Sequence, residues 1–167
     1  MTEIAIGTLL WLILGLVFII FGLIPLKGAP WVPSLKRHTE AAFKLLDLKP
    51  GQTVIDLGCG DGRFLKQAAM RGYKAVGYEL NPFMYAIAKI VTWRWRKNVK
   101  LVLGDMWKAD ISKADAIYVF LFDRYMMQLD DKLKKEGKKG LKLASHTFRI
   151  PTREPAAQEY GVYLYKY

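Results

Sequence analysis

"VIDLGCGDGRF", Val54 to Phe64, is the stretch whose reading decides the fold. An apolar, strand-like run ends here in three glycines, Gly58, Gly60 and Gly62, which alternate with Cys59 and Asp61. A strand that ends in a glycine turn and enters a helix has the geometry of a nucleotide site. Glycine lets the backbone approach a ligand closely and take up positive φ. Spacing then narrows the ligand. The phosphate loop G-x-x-x-x-G-K-[ST] is absent. The dinucleotide fingerprint G-x-G-x-x-G fails as well, because the third glycine, Gly62, comes one place early and Arg63 follows it. The spacing disfavours a pyrophosphate reader, and the run begins with an acid, Asp56, where a phosphate site wants a cation.

Outward from this turn the pattern alternates. "TVIDLG" reads as a strand and Gly62 to Arg71 as a helix. "KAVGYEL" is a strand, Pro82 to Arg96 a helix, and "VKLVLGD" a strand. "DAIYVFLF" is a strand, Tyr125 to Glu136 a helix, "LKLASHTF" a fifth strand, and "GVYLYKY" alternates like one more. Upstream, Ser34 caps a helix over Leu35 to Leu48. Such alternation with short connections predicts an α/β fold, a parallel sheet with helices on both faces. Ligands of such sheets sit at the C-terminal ends of the strands. The helix before the first strand must then begin on that side. "TWRWRKNVK" and "KLKKEGKKGLK" both precede strands and belong to the far edge; the second holds six lysines in eleven residues. Anionic lipid or RNA would suit them, and solvated helix ends with favourable dipole charges are the plainer account.

The 167 residues are enough for one domain with a core. Lysine and arginine outnumber the acids 26 to 15, a net charge of +11, which points to an acidic partner surface or simply to solubility. One cysteine rules out an internal disulfide and suggests a reducing compartment. Ile4 to Ile24 is a run of 21 uncharged residues, which as a helix would reach ~31 Å, the thickness of a hydrocarbon core. A signal peptide needs a basic n-region, and only Glu3 and the α-amino group precede this run; a buried helix is the other alternative. The expectation is a transmembrane anchor over residues 1–27 and a second domain over 28–167. Lys27, Lys36, Arg37 and Lys44 follow the run and no basic side chain precedes it, so the positive-inside rule makes this a single-pass membrane protein with its C-terminal domain in the cytoplasm. Pro25 to Pro33, with three prolines and Gly28, is a linker. Trp31 within it either sits at the lipid boundary or packs on the domain.

The form Asp56-Leu-Gly58-Cys-Gly60-Asp-Gly62 resembles motif I of the Rossmann-like class I S-adenosylmethionine methyltransferases. That cofactor carries an ammonium and a sulfonium and no phosphate, which accounts for the acid. The resemblance implies that Asp56 holds the methionine amino group, and that Gly58, Gly60 and Gly62 let the loop run along the methionine and ribose. Glu79, 17 residues after Gly62, ends the next strand and would accept both ribose hydroxyls; a solvated strand end is the bland alternative. In "GDMW", Asp105 would accept from the adenine amino group, with Met106 and Leu80 against the ring. No metal is expected.

A closer likeness rests on "APWVPS", "AVGYELNP", "GDMWKADISKAD", "YMMQLDDKL" and "SHTFRIP", in this order behind an apolar segment. The chain resembles the family of mitochondrial lysine methyltransferases of the ADP/ATP translocase and the ATP-synthase c-subunit, with their prokaryotic relatives, over roughly Ile4 to Phe148. The likeness implies protein-lysine Nε-methylation with S-adenosyl-L-methionine. Without a mitochondrial-type presequence the chain reads as a prokaryotic member, so the family's own substrate does not carry over. The usual core continues after its fifth strand with a helix and a two-strand hairpin. Only nineteen residues, Arg149 to Tyr167, remain here, so the sheet is expected to be truncated after the fifth strand, with the helix lost and one terminal strand kept.

Methyl transfer to an amine demands in-line positioning and removal of a proton. Asp123, at the end of the fourth strand, would orient the ammonium and accept its proton, and Tyr125 would add a cation–π wall or an acceptor. Helix N-capping is the competing account of Asp123. "FDRY" stands where the mitochondrial members are apolar, so both residues are read as a local invention. His146 is a hydrogen-bonded structural histidine or, less simply, a base. Met126 and Met127 pack, or touch substrate at the mouth. N-P-P-Y, typical of adenine and glutamine N-methyltransferases, is missing, which lowers the case for nucleic acid. The expected partner is a membrane protein with a target lysine, held near the bilayer by the anchor; self-methylation of the lysine-rich edge is a further outcome. The alternative activity is methylation of a lipid or quinone.

Overall fold

The computed structural model describes residues 6–15 and 36–167. The chain divides into two units, Met1–Val32 and Pro33–Tyr167. In the first, residues 6–15 are helical. The sequence-based expectation of a transmembrane anchor is corrected here. Among the described residues no helix is long and apolar enough to cross a membrane. A ten-residue helix spans ~15 Å, about half of a hydrocarbon core. The remainder of the run Ile4 to Ile24 lies outside the described residues, as do Trp31, Ser34 and the Pro25–Pro33 linker. The single-pass placement and the cytoplasmic assignment rested on that span and fall with it.

The second unit is a seven-stranded sheet with helices α1 (Lys36–Leu46), α2 (Arg63–Met70), α3 (Pro82–Thr92) and α4 (Met126–Glu136). The strands are β1 (Thr53–Leu57), β2 (Lys74–Glu79), β3 (Val99–Leu103), β4 (Ala116–Val119), β5 (Lys142–His146), β6 (Ala157–Glu159) and β7 (Val162–Lys166). Their order is β3-β2-β1-β4-β5-β7-β6. The first five pair in parallel and β7 runs antiparallel between β5 and β6. Both faces of the central strands are covered, which is why they read as unbroken apolar runs. Val54, Ala116 and Ala144 face one cluster with α1 and α2. Ile55, Leu57, Ile117, Val119 and Leu143 face the other, with Leu129 and Leu133 of α4. Between β3 and β4 no α-helix forms; Ala109, Ile111 and Ala114, each at most 1% exposed, cover that face from a loop.

The sheet is not truncated after its fifth strand, and this corrects the second part of the expected fold. Residues 147–156 form no helix, but both hairpin strands are present. Tyr160 (φ 46°) and Gly161 (φ 71°) make a two-residue turn that pairs Glu159 with Val162. Successive positive φ values suit the twist of a tight hairpin.

Gly77 in β2 shows how tightly the layer beneath the glycine loop is packed. A Cβ there would collide with Leu65 Cδ1 and lie 2.7 Å from Cys59 Sγ, and both neighbours are buried. Gly77→Ala is therefore expected to destabilise the fold by about 1–3 kcal/mol, read as a lower midpoint in urea with an unchanged slope.

Candidate active site

The loop after β1 is built by backbone geometry. Gly58, Gly60 and Gly62 all have positive φ. At Gly58 (φ 93°) an added Cβ would project into open space, so the loop leaves a bare cradle above it. At Gly62 (φ 77°) a Cβ would lie 3.0 Å from Ala88 Cβ, so glycine there also permits α2 and α3 to approach. The loop's amides are spent inside the protein. Gly58 and Cys59 N–H both donate to Tyr78 O at 2.9 Å, and Gly62 N–H to Cys59 O. Gly60 N–H donates to Glu79 Oε2 at 2.8 Å, and Arg63 N–H to Asp61 Oδ1. A phosphate nest needs such amides aimed at the ligand. This loop does not offer them.

Carboxylates take their place. Asp56, the fourth residue of β1, is 3% exposed. Burial pushes its carboxyl well above the usual range, and the charges of Glu79 and Asp61 push it further. In a chain of net charge +11, three acids converge on one loop. A cation placed there would offset the burial of the Asp56 carboxylate. Glu79 Oε1 also accepts from Asn81 N–H at 2.8 Å, so this side chain is clamped between the glycine loop and the cap of α3. Its remaining lone pairs are available to hydroxyl donors. Asp61 is held by Arg63, Oδ2 to Nη2 at 2.6 Å.

Asp105 follows β3 and caps a 3-10 turn, accepting from Trp107 N–H at 2.9 Å. Leu80 is 44% exposed, and Met106 packs on the α4-side cluster. The donor set thus fits a cofactor with an amino group, a ribose diol and an adenine edge. Asp56, Glu79 and Asp105 lie at or just beyond the C-terminal ends of three neighbouring strands, Asp56 opposite Gly77 and Glu79 opposite Leu103, two residues before Asp105. α1 begins on this same side, since His38 lies against His146 at the end of β5 with ring centroids 4.3 Å apart.

Asp123 opens a 3-10 turn, Asp123–Tyr125, and its Oδ1 accepts from Arg124 N–H at 2.7 Å. It is exposed and is not the cap of α4, whose N-cap is Tyr125 with no side-chain bond. Tyr125 lies 6.0 Å from the Trp107 ring, which joins the exit of β4 to the adenine side of the site. The Arg124 guanidinium sits over the Tyr125 ring at 4.8 Å and over Phe122 at 5.6 Å. Phe148 stands 6.1 Å from Phe122 across the mouth. Tyr125, Phe122, Phe148 and the exposed Asp123 thus stand beyond the ends of β4 and β5. Sequence reading missed Asp61, Trp107 and Phe148. Asp61 was legible as a third acid in the loop; the two aromatics carried no local signal. Met126 is buried and packs, whereas Met127 is 41% exposed.

His146 is a packed residue. It is 4% exposed, lies 4.1 Å from the Phe120 ring, and its Nδ1 is 3.5 Å from Tyr118 Oη. Burial, and then the neighbouring His38, lower its pKa to about 4. An unfolded histidine titrates near 6.5. The stability held in the neutral ring is complete above that value and is lost as pH falls towards 4. The loss is about 3 kcal/mol by linkage. His146→Gln is expected to flatten the fall in unfolding free energy between those pH values, measured by urea titration.

Comparisons with known proteins identify relatives of this chain. Residues 56–157 match the family model of the ANTKMT methyltransferase domain. An adenine nucleotide translocase lysine N-methyltransferase of Mus musculus is 34% identical over 141 residues, 82% of this chain and 61% of that one. A protein-lysine N-methyltransferase of Saccharolobus islandicus is 34% identical over 125 residues, 72% of this chain and 78% of that one. The chain spans 54–61% of the length of lysine N-methyltransferases of human, mouse and rat that it matches. Among solved structures, an RNA methyltransferase from Salinibacter ruber in complex with S-adenosyl-L-homocysteine superposes with a TM-score of 0.75 and 27% identity, covering 81% of this chain and 93% of that one. Asp56, the glycine loop, Glu79 and Asp105 all fall within the matched segment, which is more than half of the sequence, and the chain belongs to the ANTKMT methyltransferase domain family.

Proposed function

We propose that the protein is an S-adenosylmethionine-dependent methyltransferase that modifies lysine side chains of a protein substrate. The observation that carries this reading is the acidic, phosphate-averse glycine loop beside an aromatic mouth with one exposed carboxylate, in an otherwise basic chain. The lysine methyltransferases among the relatives support it.

When bound, S-adenosylmethionine supplies a methyl group already activated on sulfonium. Asp56 holds the amino group, Gly58, Gly60 and Gly62 give the loop its clearance, Glu79 takes the ribose hydroxyls, and Asp105, Leu80 and Met106 take the adenine. The lysine amine must lie in line at ~3–3.5 Å. A free lysine titrates near 10.4, so presenting it neutral at pH 7 costs about 4.6 kcal/mol. Asp123 orients the ammonium and accepts its proton, directly or through water. Tyr125 walls the amine with its ring; Arg124 already occupies a cation site on that ring. Transfer would form the N–C bond at the expense of the cofactor's C–S bond, whose electron pair would stay with sulfur, and Asp123 would hold the proton released from the lysine.

A second reading, RNA methylation, is favoured by the Salinibacter ruber structure together with the +11 charge. One experiment separates them. The protein is incubated with methyl-labelled S-adenosylmethionine and an extract of its host, and protein, RNA and organic fractions are separated. Label on protein lysines, on a substrate or on this chain itself, is the expected result. Label confined to RNA, or to a lipid or quinone in the organic phase, would overturn the lysine reading.

A further inference from the structure

The lysine-rich run before β5 plays no part in the site described above, and the structure gives it a shape. α4 ends at Gly137, whose N–H donates to Leu133 O. A Cβ at Gly137 would lie 2.5 Å from Leu133 O and 2.6 Å from Leu141 Cδ2, so the sharp turn requires glycine. The turn places Lys134, Lys138 and Lys139 on the lining of an open surface groove of about 390 Å³. The hairpin side closes it with Arg153, Lys166 and Tyr167. All five charged residues lining it are cationic.

One buried acid organises this ring. Asp130, fully buried, accepts from Arg153 Nη1 at 3.1 Å and from Tyr167 Oη at 2.7 Å, and it pairs with Lys134. Arg153 also donates to Lys166 O at 2.9 Å and lies 4.3 Å over the Tyr167 ring. The guanidinium is therefore fixed before any ligand arrives. Lys138 pairs with Asp115. Among the described residues, no carboxylate forms an ion pair with Lys139 or Lys166. A pre-set guanidinium fork with mobile ammonium groups around it is the chemistry that recognises phosphate. Five cationic side chains from α4, the turn after it and the hairpin side line this groove, more than a single small anion needs. The pocket lies beside the start of β5, the opposite end of the sheet from the glycine loop.

We propose that this pocket is a binding site for an anion with adjacent phosphates, separate from the cofactor site. The ligand is an inorganic polyphosphate chain or a nucleoside polyphosphate; both share the phosphates that the pocket reads. The test is calorimetric titration of the full chain with inorganic tripolyphosphate and, separately, with ATP. Saturable binding at one site, weakening as salt rises, is expected for tripolyphosphate. Equal affinity for ATP assigns recognition to the phosphates alone, and tighter ATP binding adds the nucleoside. Arg153→Met removes the fork but disturbs Asp130, so the decisive variant is Lys139→Ala/Lys166→Ala, which alters only exposed or rim side chains. It should fold as the parent does and bind tripolyphosphate about tenfold more weakly. Arg94→Ala/Lys97→Ala, on the other basic segment, should bind as the parent does. No saturable binding, or equal weakening by both double variants, would overturn the proposal.

Discussion

Replacing Asp56 by Asn is expected to weaken S-adenosylmethionine binding by roughly 100-fold and, at the same time, to raise the melting temperature of the ligand-free protein. The first effect follows from removing the buried partner of a cation, a loss of about 2–5 kcal/mol. The second follows from the direction of the Asp56 shift. Burial, then Glu79 and Asp61, raise its pKa in the folded chain. A group raised in this way gives stability that is complete below its unfolded value, near 3.9, and is lost as pH rises through the folded value. At neutral pH the bare carboxylate therefore opposes folding, and the bound ammonium offsets that cost. Asn keeps the shape and removes the charge. For the parent, cofactor affinity should fall as pH drops through the raised pKa. Calorimetry with the cofactor and thermal unfolding without it check both halves. A variant that binds normally, or that melts lower than the parent, contradicts this role.

Asp123→Asn carries the other large effect. The turnover number is expected to fall by ~10²–10⁴-fold while the dissociation constant of S-adenosylhomocysteine stays unchanged. Asp123 is exposed and bonded to Arg124 N–H, outside the loop that holds the cofactor, so its loss should not disturb binding. Tyr125→Phe separates ring from hydroxyl. Near-parental turnover means the ring acts as a wall, and a loss comparable to that of Asp123→Asn means the hydroxyl takes part. A turnover number unchanged in Asp123→Asn would leave the proton without its acceptor and send the search to another carboxylate.

The parallel core was legible because its physics is local. "VIDLG" and "AIYV" are buried on both faces and so read as continuous apolar runs. Asn81 followed by Pro82 announces a helix start, and Asn81 Oδ1 does accept from Phe83 N–H at 2.9 Å. Asp56, Glu79 and Asp105 could be named as candidates because they stand at or just beyond strand ends, whereas Asp61, in the loop, was missed. β6 was not. It has three residues, Ala157–Glu159, with no apolar alternation, and its turn begins with Tyr160 in place of the asparagine or aspartate that usually signals positive φ. Its pairing with β7 is a tertiary fact. The anchor failed for a different reason. The expectation rested on 21 uncharged residues, of which the described part, residues 6–15, forms a helix of only ~15 Å, and the rest of the run lies outside the described residues. The mouth lay between these cases: Asp123 and Tyr125 could be named, but Trp107 reaches Tyr125 from a different loop, and only the folded sheet brings them together.

The central claim is that Val54–Phe64 forms a site for a cationic cofactor without phosphate. Displacement of labelled S-adenosylhomocysteine from the full chain tests it most directly, with sinefungin, which carries an amine where the cofactor has its sulfonium, set against NAD. Displacement by sinefungin and none by NAD at equal concentration is the predicted result. Displacement by NAD, with sinefungin inert, would show that the loop reads phosphate after all.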